Sequence, residues 1–130
     1  MEKNYIYGYL NEEIVTQCEK AIEKIREIRL KSDRPLVPAE LFEGAEFLHS
    51  FRAWLTSHIL EAEARYRDMV QVNRGQDMSV SAAETQAKTS PEYRAFRYLQ
   101  RVDELAEEQI LIVKRFMTRM GEEYRESGGL

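Results

Sequence analysis

An all-α helical bundle is the fold class that this sequence predicts, on three observations. Two long stretches, 39–73 and 91–126, repeat apolar residues at alternating spacings of four and three. Only three prolines and six glycines occur in 130 residues, which favours long uninterrupted helices. Helix-start chemistry (Asn11, Ser81, Ser90-Pro91) stands in front of the periodic segments. At this length, one domain spanning 1–130 is expected.

The chain opens with Tyr5, Tyr7 and Tyr9 alternating with Ile6 and Gly8. That period of two suggests an extended arm over 1–10 rather than a helix. Its tyrosines would cover bundle surface or reach a second subunit. Asn11 then offers an N-cap oxygen, and Glu12 and Glu13 occupy the first turn, at the positive end of the helix dipole. Ile14, Cys18, Ala21, Ile25 and Ile28 follow on one face, widened by Val15 and Ile22. A helix over about 11–31 is predicted. The segment SDRPLVP breaks it, and Pro38 suits the first turn of the next helix.

In 39–73 the row Leu41, Ala45, Leu48, Leu55, Ile59, Ala62, Tyr66 and Met69 is interrupted by one charge, Arg52. The first half also carries Phe42, Phe47, Phe51, Trp54 and Leu60, so apolar side chains go nearly all round it. A helix apolar on most faces must be covered on most faces. The first helix, the last helix, the tyrosine arm or a second copy of the chain are the available covers. Gly75 is expected to end this helix in a left-handed cap, and Ser81-Ala-Ala-Glu84 to open a short helix over 81–88 with a capping box.

The last helix, 91–126, starts at Ser90-Pro91-Glu92, which supplies an N-cap oxygen, a first-turn proline and an acid at the dipole. Its main row is Ala95, Leu99, Val102, Ala106, Gln109, Val113, Phe116 and Met120, with Gln109 the only polar member. A second row, Phe96, Ile110, Met117 and Tyr124, lies beside it. Both rows follow coiled-coil spacing and are expected to be buried. The SGGL tail, 127–130, should fray. Two antiparallel rods joined by a short helix, with the 11–31 helix alongside, make the bundle. Arg52 and Gln109 either fix register within the seams or, for Arg52, run past the core edge to water.

Composition narrows function. The formal net charge is −4 and the two signs are interspersed along the chain, which argues against coating nucleic acid by charge alone. A single cysteine forms no internal disulfide. The N-terminus lacks the apolar core of a signal peptide, and the longest purely apolar run, 110–113, is too short to cross a bilayer. Together these point to the cytoplasm. No glycine-rich phosphate loop, C-x-x-C or nucleophile elbow occurs, and Cys18 falls in a buried row. Glu46-x-x-His49 is one half of a di-iron motif without its second half, and His58 points away from His49. Neither an enzyme nor a metal or cofactor site is expected.

Arg94, Arg97 and Arg101 share a face with Tyr98 beside them, and Lys114, Arg115 and Arg119 extend the basic character. Arginines with an aromatic neighbour grip phosphate and stack bases. Glu104, Glu107 and Glu108 equally make this an ion-paired solvent face, the reading that the acidic balance favours.

Segments Glu61 to Tyr66, Gly75, Ser79 to Glu84 and Tyr93 to Arg119 resemble a pattern in small helical proteins of phages and prophages. Those proteins are often encoded near single-strand annealing or replication genes. The resemblance covers about half the chain, leaves residues 1–40 unmatched and carries no catalytic residue. It implies a phage context and an accessory role. The expected function is therefore a non-catalytic, homo-oligomeric interaction protein, with Phe42, Phe47, Phe51 and Trp54 at the interface. The alternative is a nucleic-acid-associated accessory of phage recombination or replication using Arg94, Arg97, Tyr98 and Arg101.

Overall fold

The 11–31 periodicity becomes α1, Glu12–Leu30, capped by Asn11, whose Oδ1 accepts from Ile14 N at 2.9 Å. The computed structural model describes residues 10–30 and 38–126. The tyrosine arm, the break over 31–37 and the SGGL tail lie outside the described residues. Three further helices follow: α2, Pro38–Arg74, α3, Val80–Ala87, and α4, Pro91–Glu126. No strand occurs among the described residues. The chain is an all-α bundle built on the long hairpin of α2 and α4.

Contacts fix the directions. Leu41 and Val113 line one pocket, Arg52 meets Asp103, and Tyr66 meets Tyr93, so α2 and α4 run antiparallel. Helix α1 sets Ile28 against Gly44 and Arg29 against Gln109, while Glu13 and Gln17 sit near Phe51 and Trp54. It therefore runs antiparallel to α2 and parallel to α4, giving a three-helix section. At 19 residues, α1 reaches only about half the length of the hairpin. The other end is closed by α3, whose Ala83 and Ala87 are buried. Asn73, near the end of α2, donates its Nδ2 to Ala83 O at 3.1 Å and holds α3 down.

One core runs through the section: Val15, Cys18, Ala21, Ile25 and Ile28 from α1; Leu41, Leu48, Phe51, Leu55 and Ala62 from α2; Ala95, Leu99, Val102, Ala106, Ile110 and Val113 from α4. Alanines at Ala62, Ala95 and Ala106 let the rods approach closely. Gly44 does the same where α1 crosses α2, since an added Cβ would stand 2.6 Å from Ile28 Cδ1. That methyl is the far end of a flexible side chain. Alanine also gains about 1 kcal/mol of helix propensity over glycine. Gly44→Ala should therefore leave stability within about 1 kcal/mol of the wild type. Gly44→Leu should lower it by about 1–3 kcal/mol by prising α1 off α2. Urea unfolding followed by circular dichroism checks both, and a leucine variant as stable as the wild type would refute the close crossing.

Two caps differ from the sequence expectation. The left-handed residue after α2 is Asp77, with φ 63°, and not Gly75. Gly75 still donates its N–H to Gln71 O at 3.0 Å, so the helical bonding continues past it. The reversal falls instead on an aspartate, a type that tolerates that region. Helix α3 is capped by Ser79, whose Oγ accepts from Ala82 N at 3.1 Å, and not by Ser81. Ser81 already lies in the first turn, and the residue three after Ser79 is an alanine, so no capping box closes. Ser90 caps α4 as expected, accepting from Tyr93 N at 3.2 Å.

Arg52 and Gln109 resolve in different ways. The Arg52 guanidinium forks onto Asp103, Nε to Oδ1 at 2.8 Å and Nη2 to Oδ2 at 3.2 Å, and reaches Glu107 at 3.4 Å. The hydrogen bond to Asp103 raises its already high pKa. Gln109 is buried and accepts from Arg29 Nε at 3.0 Å, tying α4 to α1. Each polar interruption thus marks one helix pair: α2 with α4, and α1 with α4.

Candidate interaction surfaces

The expected aromatic interface splits. Phe42 is 54% exposed and Phe47 is 42% exposed, whereas Phe51 is only 7% exposed and belongs to the core. Phe51 falls on the α1-facing side of α2, with Gly44 and Leu48. Trp54 is half-buried, tilted against Phe51 at 6.0 Å and against the His58 ring at 4.5 Å. Phe47, Phe51 and Trp54 line a shallow groove of about 250 Å³ with Ser50, Glu13 and Gln17. Phe51 is therefore corrected from interface to core, while Trp54 is a half-buried wall of the groove beside Phe47. Phe42 and Phe47 remain outward.

The basic quartet also divides. Arg97 is exposed and hydrogen-bonds Gln100, and Arg101 pairs with Glu104 at 3.4 Å, both within α4. Arg94 is half-buried. Tyr98 packs partly buried against the core, so its ring is not the open platform that base stacking requires. The face is an ion-paired helix surface with one aromatic turned inward.

Cys18 is fully buried, and burial together with nearby Glu19 pushes its pKa up to about 12. A thiol held protonated in the core is neither a nucleophile nor a metal ligand. Among the described residues no group of three or more His, Cys, Asp or Glu is placed to hold a metal ion. No helix among them is long and apolar enough to cross a membrane.

A surface that periodicity did not reveal lies at the other end of α4. Both apolar rows were expected to stay buried along the helix, but among the described residues the last α4 residue in the core is Val113 and Met120 is half-buried, while the Tyr124 side chain lies outside the description. Leu111, Ile112, Phe116 and Met117 are exposed. Leu111 and Ile112 lie alongside α2 on the outer sides of α4, but beyond Phe116 the cause is a stagger in the hairpin. Tyr66 lies opposite Tyr93, so the last eight residues of α2, to Arg74, run past the start of α4 and pack against α3. At the opposite end α2 begins at Pro38, close to the level of Phe116, and among the described helices none continues beside α4 from there to Glu126. At its base, Ile28, Leu41, Ile112, Val113 and Phe116 line an apolar pocket of about 260 Å³, with Arg29 and Gln109 at the rim. The sequence signal was the apolar row continuing past Gln109, which says that a face wants cover but not which chain supplies it.

No family model, curated protein or solved structure matches this chain.

Proposed function

We propose that this is a non-catalytic assembly protein that works by associating with further copies of itself through apolar side chains left open by its own bundle. The observation that carries this reading is the set Leu111, Ile112, Phe116 and Met117, exposed on a helix whose apolar row up to Val113 is buried. Phe42, at 54% exposure, and Phe47 add a second open apolar region on α2. Single exposed apolar residues are ordinary, but clustered ones mark contact surfaces. In the phage or prophage setting that the sequence resemblance implies, such a protein takes an accessory, scaffold-like part. Nucleic-acid binding is less well supported, because Arg97 and Arg101 are satisfied within α4 and Tyr98 faces the core.

Light scattering across a concentration series tests the proposal. The expected result is a mass above that of one 15.3 kDa chain at micromolar concentration, falling on dilution. A single-chain mass at every concentration would overturn it.

A further inference from the structure

The groove between α1 and the first half of α2 combines ring faces with an unpaired carboxylate. Phe47, Phe51 and Trp54 follow at spacings of four and three, so they share one stripe of α2. Phe47 and Trp54 are the walls, and the buried Phe51 is the floor between them. The two wall positions stand seven residues apart, about 10 Å along the axis. A cation held midway is about 5 Å along the axis from each, within the roughly 6 Å over which a ring face attracts positive charge. Trp54 is held in place from two sides of the sequence. Its ring is tilted 33° against Phe51 at 6.0 Å and 54° against His58 at 4.5 Å.

Opposite the rings, α1 sets Glu13 and Gln17, one turn apart. Other acids of α1 have partners: Glu23 meets Arg26, and Glu27 meets Lys24. Among the described residues no basic side chain pairs with Glu13. The six residues that line the groove all belong to α1 and α2, and Glu13 and Phe47 are exposed, so its mouth opens to solvent. The α1 row of Glu13 and Gln17 continues to Lys20 and Lys24, which puts the negative end of the groove at Glu13. The donor set selects the kind of cation. A metal ion needs several oxygen ligands, and this groove offers one carboxylate, one carboxamide and the Ser50 hydroxyl. A quaternary ammonium donates no hydrogen bond and presents methyl groups to ring faces, which suits aromatic walls. The groove volume of about 250 Å³ exceeds the roughly 150 Å³ that accepts benzene, so one such head fits.

We infer that this groove binds a small quaternary ammonium compound, with its methyl groups between the rings of Phe47 and Trp54 and its charge facing the Glu13 carboxylate. The inference does not depend on the self-assembly reading, which α4 carries, and its test reads the same way from a single chain or an oligomer.

Choline chloride titrated into the whole chain tests it by tryptophan emission, because Trp54 is the single tryptophan. The expected result is a saturable change in emission that sodium chloride at equal ionic strength does not produce. The uncharged carbon analogue of choline, with a tert-butyl group in place of trimethylammonium, should bind about fivefold more weakly or worse. Phe47→Leu keeps apolar bulk but removes a ring, and Glu13→Gln removes the charge. Each should weaken choline binding about two- to fivefold. Both positions are exposed, and circular dichroism checks that the variants keep the wild-type fold. No saturable change overturns the proposal. So do folded variants that bind choline like the wild type, or an uncharged analogue that binds as well as choline. Ethanolamine, the unmethylated amine, binding as tightly as choline overturns the choice of a quaternary ammonium in favour of a lysine side chain of a protein.

Discussion

Leu48→Ala should lower the unfolding free energy by about 3–5 kcal/mol, the upper range for a fully buried leucine. Leu48 has no solvent exposure and lies where α1, α2 and α4 converge. Truncation removes its transfer free energy and leaves a cavity that three rigid rods cannot collapse into. Phe42, six positions earlier on the same helix and 54% exposed, provides the contrast. Phe42→Ala should stay within about 0.5 kcal/mol of the wild type. Denaturant titrations of both variants, at concentrations low enough to keep copies apart, check the pair. Equal losses would mean that α2 is rotated from the orientation described here.

The second large effect is a loss of stability at alkaline pH. The buried Cys18 thiol has a pKa pushed up to about 12 from an ordinary value near 9.0. The folded state therefore holds that proton more tightly than the unfolded chain does. The advantage is fully present below pH 9 and is lost as pH rises towards 12, because the unfolded thiol ionises first. Three units correspond to about 4 kcal/mol at most. The diagnostic is a difference between two proteins that share every other ionisable group. Cys18→Val should show a shallower fall between pH 9 and pH 12 than the wild type. The wild-type thiol should also resist alkylation until the protein is unfolded. Parallel pH profiles for the two proteins would contradict a thiol sealed in the core.

Much of the fold was legible in the residues because each helix advertises its inner face by spacing. The row Ala95, Leu99, Val102, Ala106, Gln109, Val113 is the buried row, and Ser90-Pro91 starts its helix as the chemistry requires. Arg52 and Gln109 stood out as interruptions, but their partners, Asp103 and Arg29, are distant in sequence and follow only from packing. The stagger of α2 against α4 was invisible for a related reason. It depends on where α3 docks, through Asn73 and Ala83, and no periodicity encodes an axial offset. That offset leaves Phe116 at the edge of the bundle and Met117 beyond it, although their spacing resembles that of core residues. Phe51 and Phe47 differ for an angular reason: four positions apart on one helix, they straddle the edge of the α1 contact.

The half-length reach of α1 makes the two ends of the molecule unequal in how they are held together. Around Tyr66 and Tyr93 the ring contact joins residues only 27 positions apart, through a turn that α3 already shortens. The Arg29–Gln109 bond closes a span of 80 residues. Longer closures cost more chain entropy, so α1 can meet α2 early, through Ile28 and Gly44 in neighbouring helices, while its seam with α4 must wait for a distant partner. Backbone amides of α1 should accordingly exchange with solvent deuterium sooner than those of α2 near Ala62, and breathing of the bundle should begin where its first helix lies.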